Sequence, residues 1–215
     1  MALTLYYHPL SSFCWKVLIA LYENDTAFTP VLVDLGDPAS RADFLKVWPI
    51  GKFPVIRDAA RDRIVPESSI IIEYLAQHFP GKVALVPADP EAAQQMRLRD
   101  RVIDLYLHLP MQKVVGDRLR PEGSKDPYGV EQARTTMRTA LDLLERRIAG
   151  RRWLMGDAFT MADCAAAPAL YYANKVLPFG DTHKEATTYL ERLAQRPSFA
   201  RVLKEAEPYF KLFPA

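Results

Sequence analysis

The spacing of apolar residues divides the chain into two halves of different character. In the first half, short apolar runs of strand length alternate with longer stretches of helical spacing. This alternation is typical of a small α/β domain whose sheet is covered by helices. The predicted strands are Leu3–Tyr7, Thr29–Val33, Phe53–Arg57 and Arg61–Val65, and the predicted helices are Ser12–Asn24, Arg41–Val47 and Glu67–Phe79.

The pattern changes after Pro80 and Gly81, which end the last of these helices. Beyond a proline-containing linker, only helical spacing is found. We therefore expect an α/β domain at residues 1–79, a linker at 80–90 and an all-helical domain at 91–215. The helices predicted there are a long one at Glu91–Arg120 with a kink at Pro110, one through Met137 and Ile148, one that starts with a capping box at Thr160 and Asp163, and two at Lys184–Ala194 and Ser198–Ala206.

Composition excludes several function classes. A formal net charge of +2 favours neither nucleic acid nor an anionic membrane as the main partner. No apolar run reaches the roughly 18 residues of a membrane span, so we expect a cytoplasmic protein. The only two cysteines, Cys14 and Cys164, are too few for a disulfide scaffold or a structural zinc site, and no metal is expected.

The turn between the first strand and the first helix carries the first candidate chemistry. Ser11-Ser12-Phe13-Cys14 has the spacing of a redox Cys-x-x-Cys motif whose first cysteine is replaced by serine. A hydroxyl at the positive end of a helix is suited to holding an anion or a thiolate. Two other interpretations stay open: Ser11 is a plain helix cap, or Cys14 is a redox thiol.

Two further segments have features of a peptide-binding site. A cis Phe53–Pro54 bond would turn the Phe53 backbone outward, where it can pair with an extended peptide, although the segment also fits a plain turn. Glu67 and Ser68 open a helix, where they can bind an α-amino and an α-carboxylate group or simply start the helix. Together the three segments are complementary to a small thiol-containing peptide.

With these motifs in order, the chain resembles the cytosolic glutathione transferase superfamily over nearly its whole length. The Ser11 turn is similar to the serine motif of the theta, delta and zeta-like classes. The other matching segments are Trp48-Pro49-Ile50-Gly51-Lys52-Phe53-Pro54-Val55, Pro66-Glu67-Ser68-Ser69-Ile70 and Thr160-Met161-Ala162-Asp163. The resemblance implies a thioredoxin-like N-terminal domain, a helical C-terminal domain, glutathione as co-substrate, a role in detoxification and a homodimer.

The resemblance also assigns roles to residues. Ser11, with Ser12 as runner-up, stabilises the glutathione thiolate; Phe53 next to Pro54 pairs with the backbone of the glutathione cysteine; Glu67 and Ser68 hold the γ-glutamyl group. Lys52 is a partner for the glycine carboxylate, and Asp104 is expected to reach the amino group of glutathione on a partner subunit, unless Asp104 is merely solvated. Candidates for a pocket that binds a small hydrophobic electrophile are Leu10, Phe13, Tyr106, His108 and Met111.

The expected activity is transfer of the glutathione thiolate to an electrophile. A glutathione-dependent isomerase of the maleylacetoacetate type would use the same thiolate, but Phe13 stands where such isomerases carry a cysteine. The same residues are compatible with a glutathione-dependent dehalogenase. They are also compatible with a non-catalytic binding or regulatory protein on the same scaffold, since a fold does not fix a function.

Overall fold

The structure is a computed structural model that describes residues 3–214; residues 1, 2 and 215, which the predicted domains include, lie outside the described residues. The N-terminal half contains a four-stranded sheet with helices packed on it, as the apolar pattern predicts. The strands are β1 (Leu3–Tyr7), β2 (Thr29–Leu32), β3 (Val55–Asp58) and β4 (Arg63–Pro66), and the helices are α1 (Ser12–Glu23), α2 (Pro38–Val47) and α3 (Ser68–His78).

The strand order places three chain segments at one edge of the sheet. The order is β2-β1-β3-β4, with β1 parallel to β2 and both β1–β3 and β3–β4 antiparallel. The register pairs Tyr6 with Val55 and Val55 with Pro66. Because neighbouring antiparallel strands run in opposite directions, the end of β1, the start of β3 and the end of β4 meet at the same edge.

The C-terminal half is helical, with isolated bridges but no extended strand in the part of it that is described. Thr160 and Asp163 form the predicted capping box, in which the Asp163 carboxylate accepts from the Thr160 N–H at 2.8 Å. The helices are α4 (Pro90–Ile103), α5 (Leu109–Arg118), α6 (Pro127–Ile148), α7 (Met161–Val176), α8 (Lys184–Ala194) and α9 (Pro197–Ala206), with 3-10 turns at Glu122–Ser124 and Glu207–Leu212.

The helix predicted at Glu91–Arg120 is helical throughout Pro90–Arg118, but its α-helical spacing is interrupted. A π-helical turn at Asp104–His108 separates α4 from α5, and the Leu109 N–H bonds to the Asp104 carbonyl five residues earlier. Pro110 lies two residues after the π-helical turn, at the start of α5. The irregularity begins six residues before the proline that was expected to cause it.

One hydrophobic core continues through both halves, and a second, smaller cluster of Val33, Phe44 and Val55 lies in the α/β half. The larger core includes Trp15 of α1, Met137 of α6 and Leu170 of α7, all fully buried. The Trp15 indole N–H donates to the Pro9 carbonyl, which ties the turn before α1 to the core. Among residues 3–214, no helix is long and apolar enough to cross a membrane.

Candidate functional site

The three segments singled out in the sequence meet at the sheet edge described above. The chain leaves β1 into the Ser11 turn, enters β3 from Phe53 and Pro54, and leaves β4 into Glu67. Contact between the rings of His8 and Phe53, stacked with centroids 5.9 Å apart, shows that the first two segments touch. The topology of the sheet therefore builds one site from residues far apart in sequence.

Ser11 is the N-cap of α1 and also faces a cavity. Its Oγ accepts from the Cys14 N–H at 3.3 Å, and its own N–H donates to the His8 carbonyl at 3.0 Å. The helix-cap interpretation is thus correct, yet it leaves the hydroxyl proton of Ser11 able to donate to a ligand. Ser12 also lines the cavity, but its residue is almost fully buried whereas Ser11 is half-buried.

The structure argues against Cys14 as a redox thiol. Its side chain is fully buried, and burial raises the pKa of Cys14 to about 12, although hydrogen bonds from Ser11 and the His8 backbone act in the opposite direction. A thiol that is neutral and inaccessible at neutral pH is a poor nucleophile. Cys164 is likewise buried and free, so both cysteines are structural thiols.

The peptide bond between Phe53 and Pro54 is cis, as the sequence suggested. Phe53 lines the cavity beside His8, and Pro54 is buried behind it. Lys52 extends an exposed side chain just before them.

The start of α3, like the starts of α5, α8 and α9, has no side chain among the described residues that accepts from its free backbone N–H groups. Asp37, Asp89 and Asp126 accept backbone N–H groups at the starts of α2, α4 and α6, but within the described chain no side chain caps α3. Its N-cap residue, the exposed Glu67, has φ 67° and ψ 118°, a conformation unusual for a residue other than glycine. Strained backbone of this kind is concentrated at ligand sites, and the uncapped N–H groups beside buried Ser68 are suited to a carboxylate.

The cavity lies between the Ser11 turn and the helical half and has a volume of about 420 Å³. Leu10 and Met111, two of the predicted pocket residues, line it. The other residues of its wall are His8, Ser11, Ser12, Phe53, Gln112, Val115, Gly116, Tyr172, Leu212, Phe213 and Pro214.

Several of these wall residues were missed in the sequence. The Tyr172 hydroxyl donates to the Leu10 carbonyl at 3.0 Å, and its ring stacks on Phe213. The Pro214 carbonyl accepts from Arg118 of α5 at 3.1 Å, which holds the C-terminal residues against the cavity. The sequence does carry a signal for the C-terminal wall residues, namely the run of aromatic and aliphatic residues after α9. Apolar residues outside the long helices are expected to pack on another part of the protein.

The predicted pocket has to be corrected at three positions: Phe13, Tyr106 and His108. None of the three is part of the cavity wall. Tyr106 is 52% exposed on the outside of the helical half, while His108 is fully buried with its ring stacked on Phe13 at 3.9 Å between centroids. Tyr106 and His108 lie within the π-helical turn, where the spacing of an ordinary α-helix does not apply.

Asp104 is also a correction. It is only 5% exposed, and Lys16 of α1 binds its Oδ2 at 2.7 Å and Asp100 Oδ1 at 2.6 Å. Ser69 of α3 accepts from Lys16 at 2.8 Å and donates to Asp100 at 2.7 Å. Asp104 is therefore neither solvated nor free to reach a partner subunit; it belongs to a buried ion cluster (Lys16, Ser69, Asp100 and Asp104) that joins α1, α3 and α4.

Protonation in and beside this ion cluster is shifted by burial and by Lys16. Burial alone would raise the pKa of Asp104, but Lys16 and His108 outweigh it and the pKa is lowered. Burial raises the pKa of Asp100 despite the same lysine, and burial lowers the pKa of His108. No group of three or more His, Cys, Asp and Glu side chains arranged to hold a metal occurs among residues 3–214.

Comparison with known proteins agrees with the fold and the motifs. A protein-family model of the glutathione S-transferase N-terminal domain matches residues 5–83, and one of the C-terminal domain matches residues 127–205. Glutathione S-transferase 3 of Zea mays is 32% identical over 211 residues, covering 94% of this chain and 93% of its own. A crystal structure of a Methylobacillus flagellatus glutathione S-transferase with glutathione bound superposes with a TM-score of 0.85 at 25% identity, covering 93% of this chain and 98% of that one.

The chain therefore belongs to the glutathione S-transferase family, and its α/β half is thioredoxin-like. Another relative carries a different name: a stringent starvation protein A homolog of Coxiella burnetii is 29% identical over 211 residues, covering 95% of this chain and 93% of its own.

Proposed function

We propose that this protein is a glutathione transferase that binds glutathione at the sheet edge and adds its thiolate to an electrophile held in the cavity. The observation that carries the proposal is the convergence of Ser11, Phe53 and Glu67 on one edge, with Ser11 and Phe53 opening into a cavity of about 420 Å³. A relative with bound glutathione supports this choice of co-substrate.

In the proposed complex, the γ-glutamyl carboxylate of glutathione binds the uncapped start of α3 beside Ser68, and its amino group pairs with Glu67. The Phe53 backbone pairs with the cysteine of glutathione, which directs the sulfur towards Ser11. Lys52, exposed at the rim, is the proposed partner of the glycine carboxylate.

Ser11 acts on the thiol by hydrogen bonding and not as a base. A free thiol of pKa ~8.5 is only a few per cent ionised at pH 7, and a donated hydrogen bond at a helix start lowers that pKa by about one to two pH units. The resulting thiolate attacks the electrophile in the cavity, whose other wall is formed by Met111, Val115 and Phe213.

Calorimetric titration with glutathione, followed by the thiolate absorbance of the complex against pH, tests this function. We expect micromolar to millimolar binding and a bound-thiol pKa below that of free glutathione. Absence of binding would contradict the proposal. Binding without turnover of any electrophile would instead favour a binding protein on the same scaffold, a function that the relative named for stringent starvation keeps open.

We also propose a cytoplasmic homodimer formed through α3 and α4. Ile70 on α3 is 54% exposed and Leu98 on α4 is 48% exposed, and an ion pair between Glu73 and Arg97 links the two helices at 2.7 Å. Large apolar side chains exposed on two helices that an ion pair links are compatible with an interface. Light scattering at micromolar concentration should give twice the chain mass of 24.4 kDa, and a value of one chain mass would contradict the dimer.

A further inference from the structure

His8 is a polar residue of the cavity wall that has no role in the proposed glutathione site. It stands on the turn between β1 and α1, three residues before Ser11, and lines the cavity. Its Nδ1 accepts the Leu10 N–H at 3.2 Å, so the neutral ring carries its proton on Nε2. Within residues 3–214, Nε2 makes no hydrogen bond, and the ring therefore has one spare donor at the cavity wall.

The ring of His8 is held in place on two sides. Phe53 stacks on it at 5.9 Å between centroids, and Tyr209 meets it edge-on at 6.3 Å. Burial lowers the pKa of His8, against a smaller opposite effect of Asp34, so the ring is neutral near pH 7. A fixed, neutral donor is preorganised for charge that develops on a ligand during reaction.

The charges of the cavity limit the kind of electrophile that fits. Among the described residues its wall contains no Lys, Arg, Asp or Glu, and the Arg118 guanidinium behind it already donates to the Pro214 carbonyl. A carboxylate transferred into such a wall would lose its hydration without gaining a cation. The polar groups that remain, chiefly His8 and Gln112, suit a neutral oxygen acceptor.

We propose that His8 is the hydrogen-bond donor that selects neutral electrophiles whose reacting carbon is conjugated to an oxygen acceptor, such as α,β-unsaturated ketones. This rests on the proposed glutathione-transferase function. The glutathione sulfur forms a bond to the β-carbon, and the C=C π pair moves so that negative charge collects on the carbonyl oxygen. His8 Nε2–H donates to that oxygen and keeps its proton, and water supplies the proton that restores the ketone at the α-carbon.

Two substitutions of His8 distinguish the roles of its two ring nitrogens. Asn places an oxygen near the position of Nδ1, so His8→Asn keeps the acceptor for the Leu10 N–H and removes the distal donor. Gln places its amide N–H₂ near the position of Nε2, so His8→Gln keeps the distal donor and removes the acceptor in the turn. The matched control is His78→Asn, at the end of α3 and outside the cavity.

The assay compares trans-4-phenyl-3-buten-2-one with benzyl chloride, an electrophile of similar aromatic body that has no oxygen acceptor. We expect His8→Asn to lower kcat/KM for the ketone at least about tenfold while benzyl chloride changes less than about twofold. His8→Gln should keep the ratio of the two substrates within about threefold of the wild type, and His78→Asn should change neither.

Other outcomes would overturn the inference. An equal loss for both substrates in His8→Asn would make His8 a structural residue of the turn, and a raised pKa of bound glutathione in that variant would place its donor on the thiolate. Faster turnover of an unsaturated dicarboxylate than of the ketone would refute the substrate class. Because glutathione binding is measured separately, failure of the glutathione-transferase function itself is recognised by the absence of that binding.

Discussion

Helix α1 separates two polar regions that differ in the surroundings of their polar side chains. On the cavity side, His8 and Ser11 face open space with hydrogen-bond donors to spare. On the other side, Lys16 is fully buried, and its ammonium is shared by Asp100, Asp104 and Ser69. The difference teaches that a polar side chain near a site is available to a ligand when it faces open space, and stabilises the fold when buried counter-ions hold it.

The largest expected effect comes from breaking the buried ion cluster. Lys16→Met should destabilise the protein by about 3–5 kcal/mol, because it leaves two buried carboxylates without their cation. Urea denaturation measures the change. Lys82→Met is the matched control, since Lys82 forms an ion pair with Asp25 of similar length, 2.8 Å, but is exposed, and it should leave the midpoint unchanged. Equal effects in the two variants would refute the structural role of the ion cluster.

The next largest effect is expected at the start of α3, where Glu67 lies at the sheet edge. Glu67→Ala should weaken glutathione binding by about 1.5–3 kcal/mol, at least tenfold, because it removes a charged partner from the amino group. Calorimetric titration gives the affinity. Glu73→Ala, on the same helix and paired with Arg97, removes an equal charge away from the sheet edge and should leave the affinity unchanged.

A smaller effect distinguishes the residues of the Ser11 turn. Ser11→Ala should raise the pKa of bound glutathione by about one pH unit, or ~1.4 kcal/mol, because the thiolate loses a hydrogen bond. Thiolate absorbance against pH is the measurement, with Ser12→Ala and Cys14→Ala in parallel. A rise in Ser12→Ala alone would transfer the role to Ser12, and loss of thiolate only in Cys14→Ala would favour redox chemistry in spite of its burial.

The smallest effect concerns His108, which contacts the ion cluster through Asp104. Burial lowers the folded-state pKa of His108, so below its unfolded pKa of ~6.5 the unfolded chain takes up a proton that the folded one does not. Stability is therefore lost as pH falls through that range.

Denaturation midpoints measured above and below pH ~6.5 test this effect in the wild type and in His108→Leu. The variant should depend less on pH than the wild type. Asp100, Asp104 and Lys16 also face this histidine, and the raised pKa of Asp100 acts in the opposite direction, because a carboxyl that binds protons more readily when folded gains stability as pH falls. An unchanged pH dependence in His108→Leu would show that His108 does not contribute.

The features predicted well from the sequence are local. β1 and the start of α1 follow from an apolar strand, a proline turn and a serine cap within a dozen residues, and the structure places them as predicted. The capping box at Thr160 has the same short range. Local hydrogen bonds and turn preferences decide such elements, and the sequence shows all of their parts.

The misplaced residues depend on partners far along the chain. Asp104 looks like a surface carboxylate until Lys16, 88 residues away, is seen beside it. His108 was expected at the pocket, but it lies in the π-helical turn with its ring buried against Phe13. Neither a long-range ion pair nor a single extra residue in a helical turn leaves a pattern in one sequence, so these positions required the structure.

The C-terminal wall of the cavity has a consequence for how the protein is made. His8 and Pro214 line the same cavity from opposite ends of the described chain. A site closed by contacts of such long sequence separation forms late in folding, because the entropy of closing the chain has to be overcome first. On the ribosome the Ser11 turn emerges early, but the cavity beside it is complete only after nearly all of the described residues have left the exit tunnel.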